Sequence, residues 1–414
     1  MSKTVVIGAG VIGLACAYAL NKRGREVVVL DQGSPANICS LGNAGWIVPS
    51  LSAPLPAPGL TLKSLGWLLK KESPLYISPA ALPRLAGWLW QFWRHCNRRD
   101  FEAGVAALAS LNRETMRLFD SLAADGVRFE MHRSGLLFAF LAESTMRPVL
   151  REFLPLERYG YAMPRPLAAD ELHQLEPALS KAVVCGFLVE QERHVRPESL
   201  RTGLLQRLIE RGVDIRSGVD VVAGQGEGHK LKSIRTSEDI FEGDLFVIAA
   251  GASSGRVASA FGVLLPVQAG KGYSITIEAG DVVINRPLYL GETLIGVTPF
   301  DGGVRFAGTM ELSGINLRLD RQRITALQRG VSRFLPSFSN WNGATEWVGM
   351  RPVTPDGLPA IGRLPHYDNM YIATGHGTLG VTLAPATGEL IADLIESGRT
   401  SDEAMAFDPG RFVA

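Results

Sequence analysis

The sequence predicts a mixed fold, α/β in one domain and α+β in the other, with the two interleaved along the chain. Three observations predict it. Residues 4–31, TVVIGAGVIGLACAYALNKRGREVVVLD, read as strand, glycine turn, helix and second strand, a Rossmann-like βαβ unit. Residues 369–398, NMYIATGHGTLGVTLAPATGELIADLIESG, read as a second strand, glycine turn and helix. Between them KGYSITI, LIGVTP and VRFAGTME alternate apolar and polar residues with the period of a half-buried strand, as in one antiparallel sheet.

Composition bounds what this fold can do. The 414 residues suffice for two or three domains, or two interleaved ones. A net charge of +1 implies no general pull toward nucleic acid. The four cysteines (Cys16, Cys39, Cys96 and Cys185) form no CxxC pair, which argues against structural zinc or an iron–sulfur cluster, and no metal site is expected. A disulfide framework is not expected either, so a reducing cytoplasm is the default. MSKTVVIGAG has a short apolar run without a cleavage site, so no signal peptide is expected, and no stretch approaches the ~20 apolar residues of a membrane span.

The elements follow in order. TVVI is a short buried strand, LACAYALNKRG a helix ended by Gly24, and EVVVLD the next strand. Gly8, Gly10 and Gly13 make GxGxxG, with Val11 and Ile12 at the helix start, and Asp31 and Gln32 close the second strand about 20 residues on. That context points to an ADP-containing dinucleotide. The glycines let the pyrophosphate approach the helix N-terminus. Asp31 accepts from ribose hydroxyls and disfavours an NADP phosphate, but the motif does not separate NAD from FAD.

SLGNAGWIVPS, 40–50, is a small-residue loop, either passing close to a ligand or lying plainly on the surface. Residues 51–99 combine recurrent prolines, tryptophans at 67, 88, 90 and 93, and a scatter of Lys and Arg. LPRLAGWLWQFWRHCNRR reads as an amphipathic helix with a basic end, either a domain helix with core aromatics or a peripheral membrane or partner contact. Residues 101–125 are helical, 127–141 mix strand and turn signals, and helices are predicted over 167–179, 197–212 and 320–335. VDIRSGVDVVAG continues as strands, and FEGDLFVIAAGASSG is a strand running into a turn at Ala250 and Gly251. The alternation implies a nucleotide domain from 1–55, 186–262 and 340–414, and a second domain from 56–185 and 263–339.

EWVGMRPVTPDGLPAIGR, 346–363, holds one arginine, Arg351, between Gly349-Met350 and Pro352. The proline biases Arg351 toward extended backbone, and Pro355-Asp356-Gly357 reads as a turn. Such an arginine is either a two-pronged grip for a small carboxylate or a surface residue beside a turn. In 369–398 the last helix starts near Gly380 and ends at Gly398, so its positive N-terminus faces whatever lies over the turn. His376, in that turn, is either a hydrogen-bonded structural histidine or a base.

GAGVIG with Asp31, Asn43-Ala44-Gly45, KGYSITI, GMRPVTPDGLPAIGR and TGHGTLGVTLAPATGELIADLI occur in this order over nearly the whole chain. Together they resemble the FAD-dependent D-amino-acid oxidase superfamily, which includes glycine and sarcosine oxidases. NAGWIVPSLSAPLPAPGLTLKSLGW and TGHGTLG are most similar to the bacterial D-amino-acid dehydrogenase branch, with enzymes of D-proline or cis-4-hydroxy-D-proline as a further candidate. The resemblance implies a Rossmann-like FAD-binding domain interleaved with a substrate domain built on a mainly antiparallel sheet. It implies that Arg351 binds the substrate carboxylate across the flavin face. It places Gly42, Asn43, Ala44, Gly45, Trp46 and Ile47 beside the isoalloxazine, and Gly375, His376, Gly377, Thr378, Leu379, Gly380 and Val381 along its pyrimidine edge. Val219 would contact adenine, with Ala250 and Gly251 near the same nucleotide.

The family's tyrosines over the substrate have no match in ETLIGVTPF, and Tyr273 and Tyr289 are the nearby candidates, Tyr273 being taken with Arg351 and His376 into the catalytic set. His132 and Thr298 are further pocket candidates. No cysteine follows Cys185, so FAD should be held non-covalently. The implied activity is oxidation of a small D-amino acid to its imine or 2-oxo acid, by hydride transfer from Cα to flavin N5, with electrons passed to a quinone or redox partner and residues 60–99 as the docking surface. Alternatives are a glycine- or sarcosine-type oxidase making hydrogen peroxide, an FAD-binding subunit of a larger complex with partner subunits, and, remotely, an NAD-linked dehydrogenase. The expected location is cytoplasmic, or peripheral on the inner face of the cell membrane.

Overall fold

The computed structural model describes residues 2–33, 38–60, 70–278 and 282–412. At its centre is a six-stranded sheet in the order Asp214–Ser217, Glu26–Asp31, Lys3–Ile7, Leu245–Ile248, Met370–Thr374, Ala360–Arg363. The first five strands are parallel and the last is antiparallel to its neighbour. Alternate residues serve opposite faces, as the two-residue period of a strand requires. Val6, Val27, Val29 and Val247 pack against helices Val11–Lys22, Pro197–Glu210 and Gly380–Ser397. Val5, Ile7, Val28 and Phe246 pack on the other side, against a small antiparallel sheet that includes Val221–Glu227 and Lys230–Thr236. Both faces are covered, which is why these strands are nearly continuous Val, Ile and Leu.

The first and last helices touch closely because Gly388 has no side chain: a Cβ there would stand 2.4 Å from the Ala15 carbonyl oxygen. Each of the two follows a strand of the parallel set, Lys3–Ile7 or Met370–Thr374, so their N-termini open at the same end of the sheet. Gly398, at φ 65°, ends the last helix in the left-handed conformation that glycine adopts without penalty.

The second sheet has nine strands and is mainly antiparallel. Gln268–Glu278 pairs with Gly303–Leu312 on one side and Thr345–Val353 on the other. Ile295–Phe300 continues it toward Leu288–Leu290, Leu136–Phe140 and Cys185–Val189. Two of these strands, Cys185–Val189 and Thr345–Val353, come from segments that the sequence reading assigned to the nucleotide domain. Arg351 thus stands on the antiparallel sheet, in a strand that leads directly into the parallel one.

Two local readings are refined. Residues 101–125 form two helices, Arg98–Asn112 and Thr115–Ala124, broken where Asn112 turns its amide onto the Leu108 carbonyl and accepts from the Thr115 hydroxyl. The tryptophan-rich helix is Leu82–His95; the preceding residues 61–69, with Lys63 and Trp67, lie outside the described residues.

Candidate cofactor and substrate site

A cavity of about 470 Å³ opens at the C-terminal ends of the parallel strands. This is the crevice where ligands of open α/β sheets bind. Gly8, Gly10, Val11 and Ile12 line it from the first turn, and Gly380 and Val381 from the start of the last helix. Neither helix is capped by the side chain of its own N-cap residue, Gly10 or Leu379, so two positive helix ends face one space. The glycines divide by task. A Cβ on Gly13 would lie 1.9 Å from the Gly8 carbonyl oxygen, and one on Gly8 would lie 2.3 Å from that of Ala249, so these two permit close packing. Gly10, Gly251 and Gly377 line the cavity without such crowding, and a Cβ on Gly251 or Gly377 would meet nothing within 4 Å. Side chains there would take up space that the backbone leaves for a ligand.

Asp31 stands at the cavity edge. Its carboxylate accepts from the Ala9 and Gly33 amides, at 2.7 and 2.8 Å, which fixes the glycine turn, and its carbonyl accepts from Val219 N–H at 2.8 Å. Gln32, Val219 and Ala250, three of the expected cofactor residues, line the same cavity. Asp220 and Arg256, which the sequence reading missed, also line it: Gln32 and Arg256 both donate to Asp220, at 2.7 and 2.9 Å. Ser40, whose hydroxyl accepts from Val11 N–H at 3.3 Å, and Arg201, which donates to the Ala9 carbonyl at 2.9 Å, were missed as well. Only tertiary packing brings these residues to the turn.

The loop 42–47 is held between the two sheets. Gly42 lies under the ring of Trp347, where a Cβ would come within 2.0 Å. Asn43 lines the cavity and accepts from Gly45 N–H at 2.7 Å, while Arg305 donates to the carbonyls of Leu41 and Asn43. Trp46 donates from its indole to Thr298 Oγ1 at 2.8 Å, and that hydroxyl donates to Ala44 O. Thr382, in the first turn of the last helix, donates to Trp46 O and accepts from Val48 N–H. Ala44, Gly45, Trp46 and Ile47 therefore build the loop rather than the cavity wall, and Ile47 is fully buried.

The glycine turn before the last helix is strapped to the arginine strand. Gly377 N–H donates to Pro352 O at 2.8 Å, and Val353 bridges to His376. Gly375 needs its φ of 80° and the absence of a Cβ beside Thr354, while Thr378 is exposed and Leu379 is buried in the helical core. His376 lines the cavity. Its Nε2 is 2.9 Å from the Thr387 hydroxyl, its Nδ1 has no hydrogen-bond partner, and burial pushes its pKa down to about 3. A neutral imidazole with one unpaired nitrogen is a hydrogen-bonding group, not a cation.

Arg351 lies across the antiparallel sheet. Its guanidinium covers Gly272, where a Cβ would lie 2.3 Å from Cζ, and Nη1 donates to Thr309 O at 2.6 Å. Thr309 has φ 65°, a strained conformation for a β-branched residue, at a bulge opposite Lys271 and Tyr273. That backbone turns its carbonyl to the arginine. Arg351 keeps accessible surface, burial lowers its pKa, and among the described residues no carboxylate pairs with it. A buried guanidinium with an unfilled fork is an unusual cost for a fold to carry.

The predicted catalytic set is brought together only in part. Tyr273 sits on the opposite face of its strand from Gly272 and Arg351, fully buried, with its hydroxyl donating to Glu311 at 2.7 Å beside Arg323. Strand alternation sends it there, so it is a member of the core network and does not meet Arg351. Tyr289 pairs with Gly296 in register and stands on the Arg351 face, its ring 6.3 Å from that of Trp46. His132 lies elsewhere, stacked on His194 and bonded to Glu130.

The donor set suits FAD. Two helix N-termini facing the cavity, a glycine-lined groove, the Asp31 carboxylate and the unpaired Nδ1 of the cavity-lining His376 match an anionic dinucleotide with a polar ring edge. In fold the chain resembles glycine oxidase from Geobacillus kaustophilus (TM-score 0.78, 21% identity, covering 100% of both chains). It also resembles glycine oxidase from Bacillus cereus (0.76, 22%, 96% of both) and L-proline dehydrogenase from P. horikoshii (0.74, 21%, 99% of this chain and 97% of that one). The DAO family model, described as FAD dependent oxidoreductase, matches residues 3–394, and with the glycine cradle and paired helix ends in place the chain belongs to that family of FAD-dependent oxidoreductases.

Proposed function

We propose that the chain oxidises the Cα–N bond of a small D-amino acid, D-alanine-like or cyclic as in D-proline and cis-4-hydroxy-D-proline, and passes the electrons to a quinone or redox partner. The observation that carries this reading is the Arg351 fork, which no described carboxylate pairs, between the cavity-lining residues Met350 and Pro352. A carboxylate is the group whose geometry such a fork matches. Bound FAD supplies the hydride acceptor for Cα–H.

The chain's residues do the rest. Arg351 holds the carboxylate and so fixes where Cα lies. The strap from Pro352-Val353 to His376-Gly377 sets the distance between that grip and the cofactor edge. The helix starting at Gly380 offsets negative charge that develops at that edge. Gly8, Gly10, Asp31, Val219 and Ala250 hold the nucleotide half of FAD, and Asn43, Gly377 and Gly380 the flavin half. The rings of Trp46 and Tyr289 pack together beside Gly296, on the same face of the sheet as Arg351. The preference for D-amino acids and a non-oxygen acceptor rests on the resemblance of residues 43–67 and of TGHGTLG.

The test is an initial-rate panel of D- and L-amino acids, D-proline, cis-4-hydroxy-D-proline, glycine and sarcosine, each run with a quinone-like dye and again under air with peroxide detection. Dye-coupled turnover of one D-class without peroxide supports the proposal. Peroxide from glycine or sarcosine would replace it with an oxidase, and turnover of none would favour a subunit that needs partners.

A further inference from the structure

We propose that the outer face of helix Leu82–His95 docks on an anionic membrane surface. The helix is apolar on both sides. Leu85 and Trp88, 4% and 5% exposed, pack inward on Met310, Leu312 and Val353, and Trp88 donates to Pro266 O at 2.8 Å. A helix so anchored needs no apolar residues outside. Yet Leu82, Ala86, Trp90 and Trp93 face outward, and the two tryptophans are 59% and 52% exposed, stacked with ring centroids 5.0 Å apart.

Three features select lipid as the occupant. No acidic residue occurs between Glu72 and Asp100, while Arg84 and Arg94 are exposed and make no ion pair with a described residue. Indole rings flanked by arginine suit the headgroup level of a bilayer, where an amphipathic ring meets both apolar and wet surroundings. A two-fold contact with a second copy would bring the same basic stripe against itself. No helix among the described residues is long and apolar enough to cross a membrane, so the contact lies on the surface. The inner side of this helix also touches Met310, whose sulfur is 3.9 Å from Arg351 Nη1, so docking would set the membrane against the sheet that carries the substrate grip.

The experiment is sedimentation of the full chain with phosphatidylglycerol-containing vesicles and with pure phosphatidylcholine vesicles. It compares wild type with Trp90→Ser/Trp93→Ser and with Arg84→Ser/Arg94→Ser. The proposal expects binding to the anionic vesicles, weakened about tenfold or more by the tryptophan pair, and weakened by high salt and by the arginine pair. Retained flavin absorbance and unchanged Tm show that the variants fold. Absence of binding, or binding indifferent to both pairs, overturns the proposal. A dimer that dissociates in the tryptophan variant would replace lipid with a second copy, and binding of an acidic redox protein with none to vesicles would replace it with a protein partner. Vesicle binding needs no turnover, so the result is independent of the substrate assignment.

Discussion

Replacing Arg351 with alanine should remove carboxylate recognition while leaving the fold intact. The guanidinium spends one donor on Thr309 O and meets no described carboxylate, so the rest of the fork is available to substrate. Two charge-assisted hydrogen bonds at about 1.5–3 kcal/mol each amount to about 3–6 kcal/mol of lost transition-state stabilisation. That is roughly two to four orders of magnitude in kcat/KM, carried mostly by KM because the carboxylate is bound alike in ground and transition states. Arg351→Lys keeps the charge and loses the fork, so it should fall between. Arg351→Met should keep Tm equal or raise it, because a buried unpaired cation is removed. Steady-state kinetics with a dye acceptor, with flavin content measured on each variant, decides. A normal kcat/KM in Arg351→Ala refutes the reasoning, and a sharp loss of stability in Arg351→Met would show the arginine to be structural.

Three further outcomes follow from the geometry. Gly272→Ala places a methyl 2.3 Å from Arg351 Cζ, a flexible neighbour, so the enzyme should fold, retain flavin and lose about 10- to 100-fold in kcat/KM through displacement of the grip; unchanged kinetics would contradict it. Tyr273→Phe should cost about 1–3 kcal/mol of stability through the lost bond to Glu311 and leave kcat/KM within about twofold; a large kinetic defect would return Tyr273 to the catalytic set. Glu192 is buried, one oxygen accepting from Ser50 and the other without a partner, and burial pushes its pKa up to about 8. A folded pKa above the unfolded one contributes stability that is complete below about pH 4.5 and is lost as pH rises through about 8. Glu192→Gln should flatten Tm against pH between 5 and 8.5, and parallel curves for the two proteins would refute this.

The nucleotide half was the most legible part of the sequence. GxGxxG and the strand–turn–helix at 369–398 are local patterns, and both appear in the structure, the second with the expected limits and the first with its helix starting at Val11, inside the expected turn. Arg351 was legible as an isolated arginine held by glycine and proline, but its setting was not. Gly272 and Thr309 come from two other strands, and their positions depend on register and on a bulge that no local pattern marks. Tyr273 went astray for the same reason: one step along a strand reverses the face, and the sequence does not say which face looks at the cofactor. Asp220, Arg256 and Arg201 were missed because their neighbours lie on distant segments. In the loop 40–50, which the sequence left open between a ligand-side and a surface role, Ser40 and Asn43 line the cavity, whereas Trp46 and Ile47 support the loop by packing.

The central claim is that an amine with a carboxylate beside it reduces a flavin in this protein through Arg351. The direct measurement is the anaerobic visible spectrum of FAD-loaded wild type and Arg351→Ala, titrated with D-alanine, D-proline and cis-4-hydroxy-D-proline and with the matching amines that lack the carboxylate. The account predicts bleaching of the wild-type flavin by one of the acids at concentrations that leave the variant oxidised, and little response of either protein to the bare amines. Equal bleaching of wild type and variant, or bleaching by amine and amino acid alike, would contradict it.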